Sequence, residues 1–183
     1  MDVQLREARA TDAPAIRDVI MAAFGGEQGP EVAELAAGLG QDRTAQPVVS
    51  LVATAGARVA GHVLFSRTRL GPGPQPVLSA ILAPLAVHPE HQGQGIGGRL
   101  VRRGLDRLRA MGVGLVFVLG HPGYYPRHGF VPAGMRGFEA PYPIPPEDAG
   151  AWMVLELRAG IIGSVAGRVE CADALQDPRH WRE

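Results

Sequence analysis

His88-Pro89-Glu90-His91-Gln92-Gly93-Gln94-Gly95-Ile96-Gly97-Gly98 lies between the longest apolar, strand-like run of the chain, Val77 to Val87, and its clearest amphipathic helix. Four glycines fall within six residues. Glycine lets a backbone turn sharply and approach a ligand closely, and the first-turn N–H groups of a helix have no intrahelical partners. Several such donors together make an anion cradle that needs no cationic side chain, and phosphate is its natural guest. A plain strand-to-helix turn would need fewer glycines. Gly93, Gly95 and Gly98 also satisfy G-x-G-x-x-G, but the dinucleotide reading fails on context. Five residues separate the strand from the first glycine, and no carboxylate ends the next apolar run, Leu115 to Gly120, to grip a ribose. A Walker A loop is excluded because the chain contains no lysine.

Working outward, the helix after the glycines carries an apolar stripe of Ile96, Leu100, Val101, Gly104, Leu105, Leu108 and Met111, with arginines opposite. Val113 to Leu119 follows as a continuous apolar run, the pattern of a buried strand reached by a parallel crossover. Before the cluster, Val48–Thr54, Val59–Arg69 and Val77–Val87 read as an antiparallel meander, joined by the tight turn Ala55–Arg58 and the breakers Gly71–Pro74. The chain opens with a short strand at Val3–Arg6 and a helix starting at Thr11–Pro14, where Thr11 or Asp12 can cap. That helix ends at Gly25-Gly26, and a weaker one spans Pro30–Leu39. His121–His128 holds a short helix or turn. Met135–Gly150 has no periodicity and reads as an ordered surface loop, followed by strands at Ala151–Arg158 and, at an edge, Gly167–Ala172. The order is α/β with a mixed, mostly antiparallel sheet flanked by helices. Residues 1–172 read as a single domain and 173–183 as a polar tail.

The 183 residues suit one domain. Basic and acidic side chains number 18 each, which argues against a nucleic-acid-holding role. The absent lysine excludes Schiff-base and kinase chemistry, and the absent asparagine excludes papain-type triads. Cys171 is the single cysteine, so no internal disulfide and no thiolate zinc site can form. Neither a signal-peptide core nor a membrane-length apolar run is present, and the expectation is a soluble, cytoplasmic protein without membrane partners.

Three motifs in register give the chain a family resemblance. Gln92-x-x-Gly95-x-Gly97 resembles the pyrophosphate-binding signature of the GNAT superfamily, the acetyl-coenzyme A-dependent N-acetyltransferases. Leu85-Ala86-Val87-His88-Pro89 resembles its preceding strand end, and Tyr125-Pro126-Arg127-His128-Gly129-Phe130 its late Y-x-x-x-G-F motif. The likeness spans about Val3 to Leu157, and is greatest to a branch of small bacterial enzymes of mostly unassigned substrate. The resemblance implies a sheet splayed open beside the long strand. Acetyl-CoA would pair with backbone at Leu85, Ala86 and Val87 and rest its pyrophosphate on the N–H groups of Gln92, Gly93, Gln94, Gly95, Ile96, Gly97 and Gly98. A primary amine, on a small molecule or a peptide, would attack the thioester directly. Gly93-Gln94 leaves the signature short of side-chain charge, which Arg99 and Arg102 could supply.

Such a transfer needs a stabilised carbonyl oxygen and a proton for the departing thiolate. The Val87 N–H, on an unpaired strand edge, is the oxyanion donor candidate. The resemblance places Tyr125 as the acid, with Tyr124 as the alternative and a structural role for both rings also open. Glu27 and Glu31 border the expected acceptor side as candidate bases, as does His121, while a water chain would make a dedicated base unnecessary. His88, Glu90 and His91 lack further ligands at suitable spacing, so no metal is expected. Cys171 reads as a buried small hydrophobe, not a nucleophile. Trp152 and Phe138 read as core, and the loop from Arg136 to Asp148 as a source of acceptor specificity or, equally, a homodimer contact. The competing functional reading is a non-catalytic acyl-CoA-binding sensor, favoured if Trp152 or Phe138 closes the acceptor pocket.

Overall fold

The structure is a computed structural model that describes residues 2–182. Its first strand, β1 (Val3–Glu7), is tied to helix α1 (Ala13–Phe24) by one carboxylate. Asp12 accepts the backbone N–H of Arg9 at 2.7 Å and both guanidinium nitrogens of Arg6 at 2.6 and 2.9 Å. α1 stops at Gly25, whose φ of +65° with ψ of −176° is a backbone conformation that glycine alone adopts readily. Helix α2 (Gln28–Gln41) is longer at both ends than the expected Pro30–Leu39. The small buried residues Gly29, Ala33 and Ala36 extend its contact with α1, and a methyl at Gly29 would come within 3.2 Å of the Met21 carbonyl oxygen.

The meander is present as β2 (Val49–Ala55), β3 (Arg58–Leu70) and β4 (Ser79–Val87), followed by α3 (Ile96–Ala110) and β5 (Leu115–Leu119). Two short strands, β6 (Val131–Pro132) and β7 (Phe138–Glu139), precede β8 (Trp152–Glu156) and β9 (Gly167–Cys171). The main sheet runs β1-β2-β3-β4-β5-β8-β6. Along that path β4–β5 is the parallel pair, closed by the α3 crossover, and the rest are antiparallel. α3 buries Leu100, Val101, Leu105 and Leu108 against one face. Gly104 sits there under the fully buried Phe65 ring of β3, leaving no space for a methyl. The other face carries α1, α2 and an aromatic cluster in which Trp152 stacks on Phe117 at 5.4 Å and meets Trp181 edge-on at 5.8 Å.

Three expectations are corrected. The Met135–Gly150 stretch contains two 3₁₀ turns, at Gly134–Arg136 and Pro146–Ala151, and strand β7, too short to give a period. β9 is no edge strand: it pairs antiparallel with Thr68–Leu70 of β3 on one side and parallel with β7 on the other, because Val169 is buried in register with Leu70. The fold also continues past residue 172. Asp173 and Ala174 donate backbone N–H groups to Thr44 Oγ1 and Asp42 Oδ2, and Leu175 and Trp181 are buried. Among the described residues, no helix is long and apolar enough to cross a membrane.

Candidate functional site

The sheet opens where β4 leaves β5. Their ladder holds only Ser79–Ile81 against Leu115–Phe117, whereas β5 stays paired with β8 as far as Leu119. A register shift between Val63 and Phe65 marks a bulge that sets three steps on β4, Leu82 to Leu85, against two on β3. Pro84 within it has no N–H to offer a neighbour. Past the bulge, the antiparallel alternation fixes which groups face the opening. His88 donates to the Ala60 carbonyl at 2.9 Å, and Val87 lies opposite Gly61, a non-hydrogen-bonded pair. The backbone groups of Leu85 and Val87 therefore point away from β3 into the opening. Those of Ala86 are spent on His62, and its side chain packs under α1 and α2. Ala86 is thus corrected to a structural residue. The Gln92 side chain caps the Val87 carbonyl at 3.0 Å, which leaves the Val87 N–H directed into the space.

That space is a cleft of about 800 Å³. Leu85 and Val87 form one wall, Gln92, Gly93, Gly95, Ile96, Gly97 and Gly98 the floor, and Tyr124, Tyr125 and His121 the far side. Gly93 and Gly95 adopt φ of +73° and +78°, so their conformation requires glycine, and a methyl on either would meet only open space. The first intrahelical bond beside the cradle is Arg99 N–H to Gly95 carbonyl at 3.1 Å, which leaves earlier amides free to face a ligand. Gly97 serves a different purpose: its Cβ would lie 2.8 Å from the Tyr124 hydroxyl, so a small residue is needed for Tyr124 to rest on the helix start. Gln94 turns away, donating to the Glu90 carbonyl at 3.2 Å, and does not line the cleft.

Tyr125 lines the cleft but is 8% exposed, wedged edge-on against Tyr124 at 5.1 Å and Phe130 at 5.7 Å. Tyr124 is half-buried, and burial pushes its hydroxyl pKa upward against the opposing pull of Arg127 and Arg102, keeping it protonated. Arg102, Arg127 and His128 also line the cleft, and no acidic residue does. Burial, followed by Arg102 and Arg127, lowers the His128 pKa. Of the two arginines expected to supply charge, Arg99 is spent on the Val3 carbonyl at 2.8 Å, whereas Arg102 faces the cleft. Arg127 and His128 went unassigned in the sequence because they sit in a single 3₁₀ turn, Tyr125–His128, that has no period.

Glu27 is exposed at the start of α2 and is not among the residues lining the cleft, and Glu31 is engaged with His180 Nδ1 at 3.4 Å. Trp152 and Phe138 are buried, with the Trp152 indole N–H donating to the Phe138 carbonyl at 2.9 Å. Burial raises the Cys171 pKa, the opposite of an activated thiol. Among the described residues, no three His, Cys, Asp or Glu side chains gather as a metal would require.

These features have close counterparts in known proteins. The acetyltransferase (GNAT) domain family matches residues 4–133. The uncharacterized N-acetyltransferase YjhQ of Escherichia coli is 48% identical over 164 residues, covering 89% of this chain and 88% of that protein. The crystal structure of the E. coli GNAT family N-acetyltransferase YhbS in complex with CoA superposes with a TM-score of 0.84 at 30% identity, over 96% of this chain and 92% of that one. A Brucella melitensis GNAT family acetyltransferase in complex with acetyl-CoA gives 0.70 at 31% identity, over 96% and 99%. With its splayed mixed sheet, its glycine-lined helix start and these relatives, the chain belongs to the GNAT family of acetyltransferases.

Proposed function

We propose that this chain binds acetyl-CoA in the β4–α3 cleft and transfers the acetyl group to a primary amine by direct attack in a ternary complex. The observation that carries the proposal is continuity. The outward backbone groups of Leu85 and Val87 lead directly to the glycine-lined start of α3, within one cleft that holds basic but no acidic side chains. An extended amide-bearing arm matches the strand edge, and a pyrophosphate matches the unpaired first-turn amides. Both the YhbS and the Brucella structures, which share this fold, hold CoA or acetyl-CoA. Bound there, acetyl-CoA would supply an activated acyl group as its thioester.

The chain's own residues then have separable tasks. The Val87 N–H donates to the carbonyl oxygen as negative charge builds on it. The Tyr125 hydroxyl gives its proton to the departing sulfur as the new N–C bond forms and the C–S bond breaks. The amine's surplus proton leaves to solvent or by way of His121, the candidate base that lines the cleft, whereas Glu27 does not line it and Glu31 is engaged elsewhere. A sensor without turnover is less well supported, because Trp152 and Phe138 pack in the core and do not lie across the opening. Release of free thiol from acetyl-CoA, measured across a panel of amine classes, tests the proposal. Acceptor-dependent release with at least one class is expected. Tight CoA binding with no release for any class would instead establish the sensor reading.

A further inference from the structure

Residues 173–181 follow β9 and pack on the face of the sheet away from α3, where Leu175 and Trp181 join the cluster of Phe117 and Trp152. Their path doubles back along α2. The Ala174 N–H donates to Asp42 Oδ2 at 2.8 Å, just past the end of that helix, and a Cβ on Gly38 would lie 3.8 Å from the Ala174 methyl. At the other end, His180 Nδ1 lies 3.4 Å from Glu31 Oε1, in the first turn of the same helix. The segment thus spans about 16 Å of α2. Between these ties, Asp177 Oδ1 accepts the Arg179 N–H at 3.0 Å and shapes the 3₁₀ turn Pro178–His180. Trp181 then points inward and is 2% exposed. Its indole N–H donates to the Leu175 carbonyl at 3.0 Å, and its ring meets Trp152 at 5.8 Å and Tyr142 at 6.4 Å.

The acetyl-CoA cleft and α3 occupy one face of the opening between β4 and β5, so an amine reaches the thioester carbon from the other. On that second face, strand alternation presents Phe117 and Leu119 of β5 and Trp152 of β8. Leu119 lies past the last β4–β5 pair and in register with Trp152, so this pair borders the opening on the β5 side. On the β4 side the border is α2, whose Ala33 and Ala36 pack with Ala86. Residues 180 and 181 join the two borders, because His180 holds Glu31 while Trp181 abuts Trp152. Leu35, Leu119, Tyr142 and Ile144, which pack against the same cluster, stay half-buried. We propose that Trp181, held by this strap, is the wall that sets the width of the acceptor site. It admits slender free amines and excludes broad ones, including an amine on the surface of a folded protein, by steric clash. The inference rests on the acetyl-transfer reading and deepens it by naming the acceptor class. Trp181 moves no proton in this account; it selects what reaches the thioester.

Thiol release from acetyl-CoA, measured with primary amines graded in breadth from propylamine through benzylamine to 1-naphthylmethylamine, tests this. For the parent, kcat/KM should fall by about tenfold or more from the narrowest amine to the broadest. In Trp181→Ala the broad-to-narrow ratio should rise by about tenfold or more, through a lower KM for the broad amine and not a higher kcat. Trp181→Phe, which keeps an aromatic wall, should bring the ratio back toward the parent's. Calorimetry with CoA checks that each variant keeps its cofactor cleft, and affinities close to the parent's are expected. If Trp181→Ala fails to fold, Trp181→Leu replaces it, since leucine keeps an apolar anchor and still removes the ring wall. A parent that acetylates the broad amine as well as the narrow one overturns the inference without any substitution. A folded, CoA-binding Trp181→Ala or Trp181→Leu enzyme with the parent's ratio also overturns it, because the strap would then only cap the core. Both results leave the acetyl-transfer reading standing. No release with any amine brings that reading down and this inference with it.

Discussion

Gly120 sets the position of the Tyr125 ring, and replacing it with alanine would move that ring without altering a functional group. A methyl at Gly120 would overlap Tyr125 Cε2 and lie 3.0 Å from Cδ2 and 3.3 Å from Cζ. Restoring ordinary contact requires the ring to withdraw by about 1 Å. It has little room, because Tyr124 and Phe130 meet it edge-on at 5.1 and 5.7 Å. The Gly120 N–H donates to the Ala151 carbonyl at 3.0 Å, which anchors the backbone and passes the strain to the ring. If the Tyr125 hydroxyl delivers a proton to the leaving sulfur, a displacement of this size costs up to about 10²-fold in rate. The expected result is a kcat and kcat/KM both lowered about 10- to 100-fold, with acetyl-CoA affinity near the parent value because the cradle lies elsewhere. Tyr125→Phe, which removes only the hydroxyl, should lower kcat at least as far, within the 10²- to 10⁴-fold typical of a general acid. Thiol-release kinetics with the best acceptor measure both. A Gly120→Ala enzyme with parental kcat would refute the placement argument. Parental kcat in Tyr125→Phe with collapse in Tyr124→Phe would transfer the acid role to Tyr124.

Other predictions concern the frame that holds the cleft. Gly104→Ala should destabilise the fold by about 1–2 kcal/mol despite alanine's better helix propensity, because its methyl would lie 2.5 Å from Phe65 Cζ; urea midpoints measure this, and an unchanged midpoint would contradict it. The Arg6 guanidinium and the Arg9 N–H hold the Asp12 carboxyl down at about 2, from a usual 3.8, so its contribution is complete above pH 4 and lost as pH falls toward 2. Parent stability should therefore drop more steeply than that of Asp12→Asn below pH 4, and parallel curves would show that the clamp adds nothing. Prolonged chelation should leave acetyl-CoA binding and thiol release intact, and activity lost with a stoichiometric metal would reverse that expectation.

The parts of this structure that the sequence makes legible share one property: their physics is periodic or local. The α3 stripe, the continuous apolar run of β5 and the left-handed glycines at 93 and 95 each leave a signature within a few residues. The helix-to-strand order also implies the parallel β4–β5 step. Long-range pairing leaves no such trace. The two-residue β7 and the inward position of β9 depend on partners about 30 and 100 residues away in the chain, and the burial of Trp181 depends on Trp152. In the site, the glycines and Leu85, Val87 and Tyr125 line one cleft, as the motifs imply. Ala86 departs because strand alternation turns its backbone toward β3, a rule the sequence contains once the register is known. The convergence of Arg102 with Arg127 and His128 was hidden, since it joins a helix face to a turn 25 residues away.

The central claim is that backbone donors of β4 and α3 hold acetyl-CoA, and amide hydrogen exchange with and without saturating acetyl-CoA tests it most directly. Exchange should slow at Leu85, Val87 and the first-turn amides Ile96–Gly98, while Ala86, already paired with β3, should change little. Saturable binding that leaves those amides unaltered and protects another region, such as the pocket between Arg67, Arg69 and Arg168, would contradict the account.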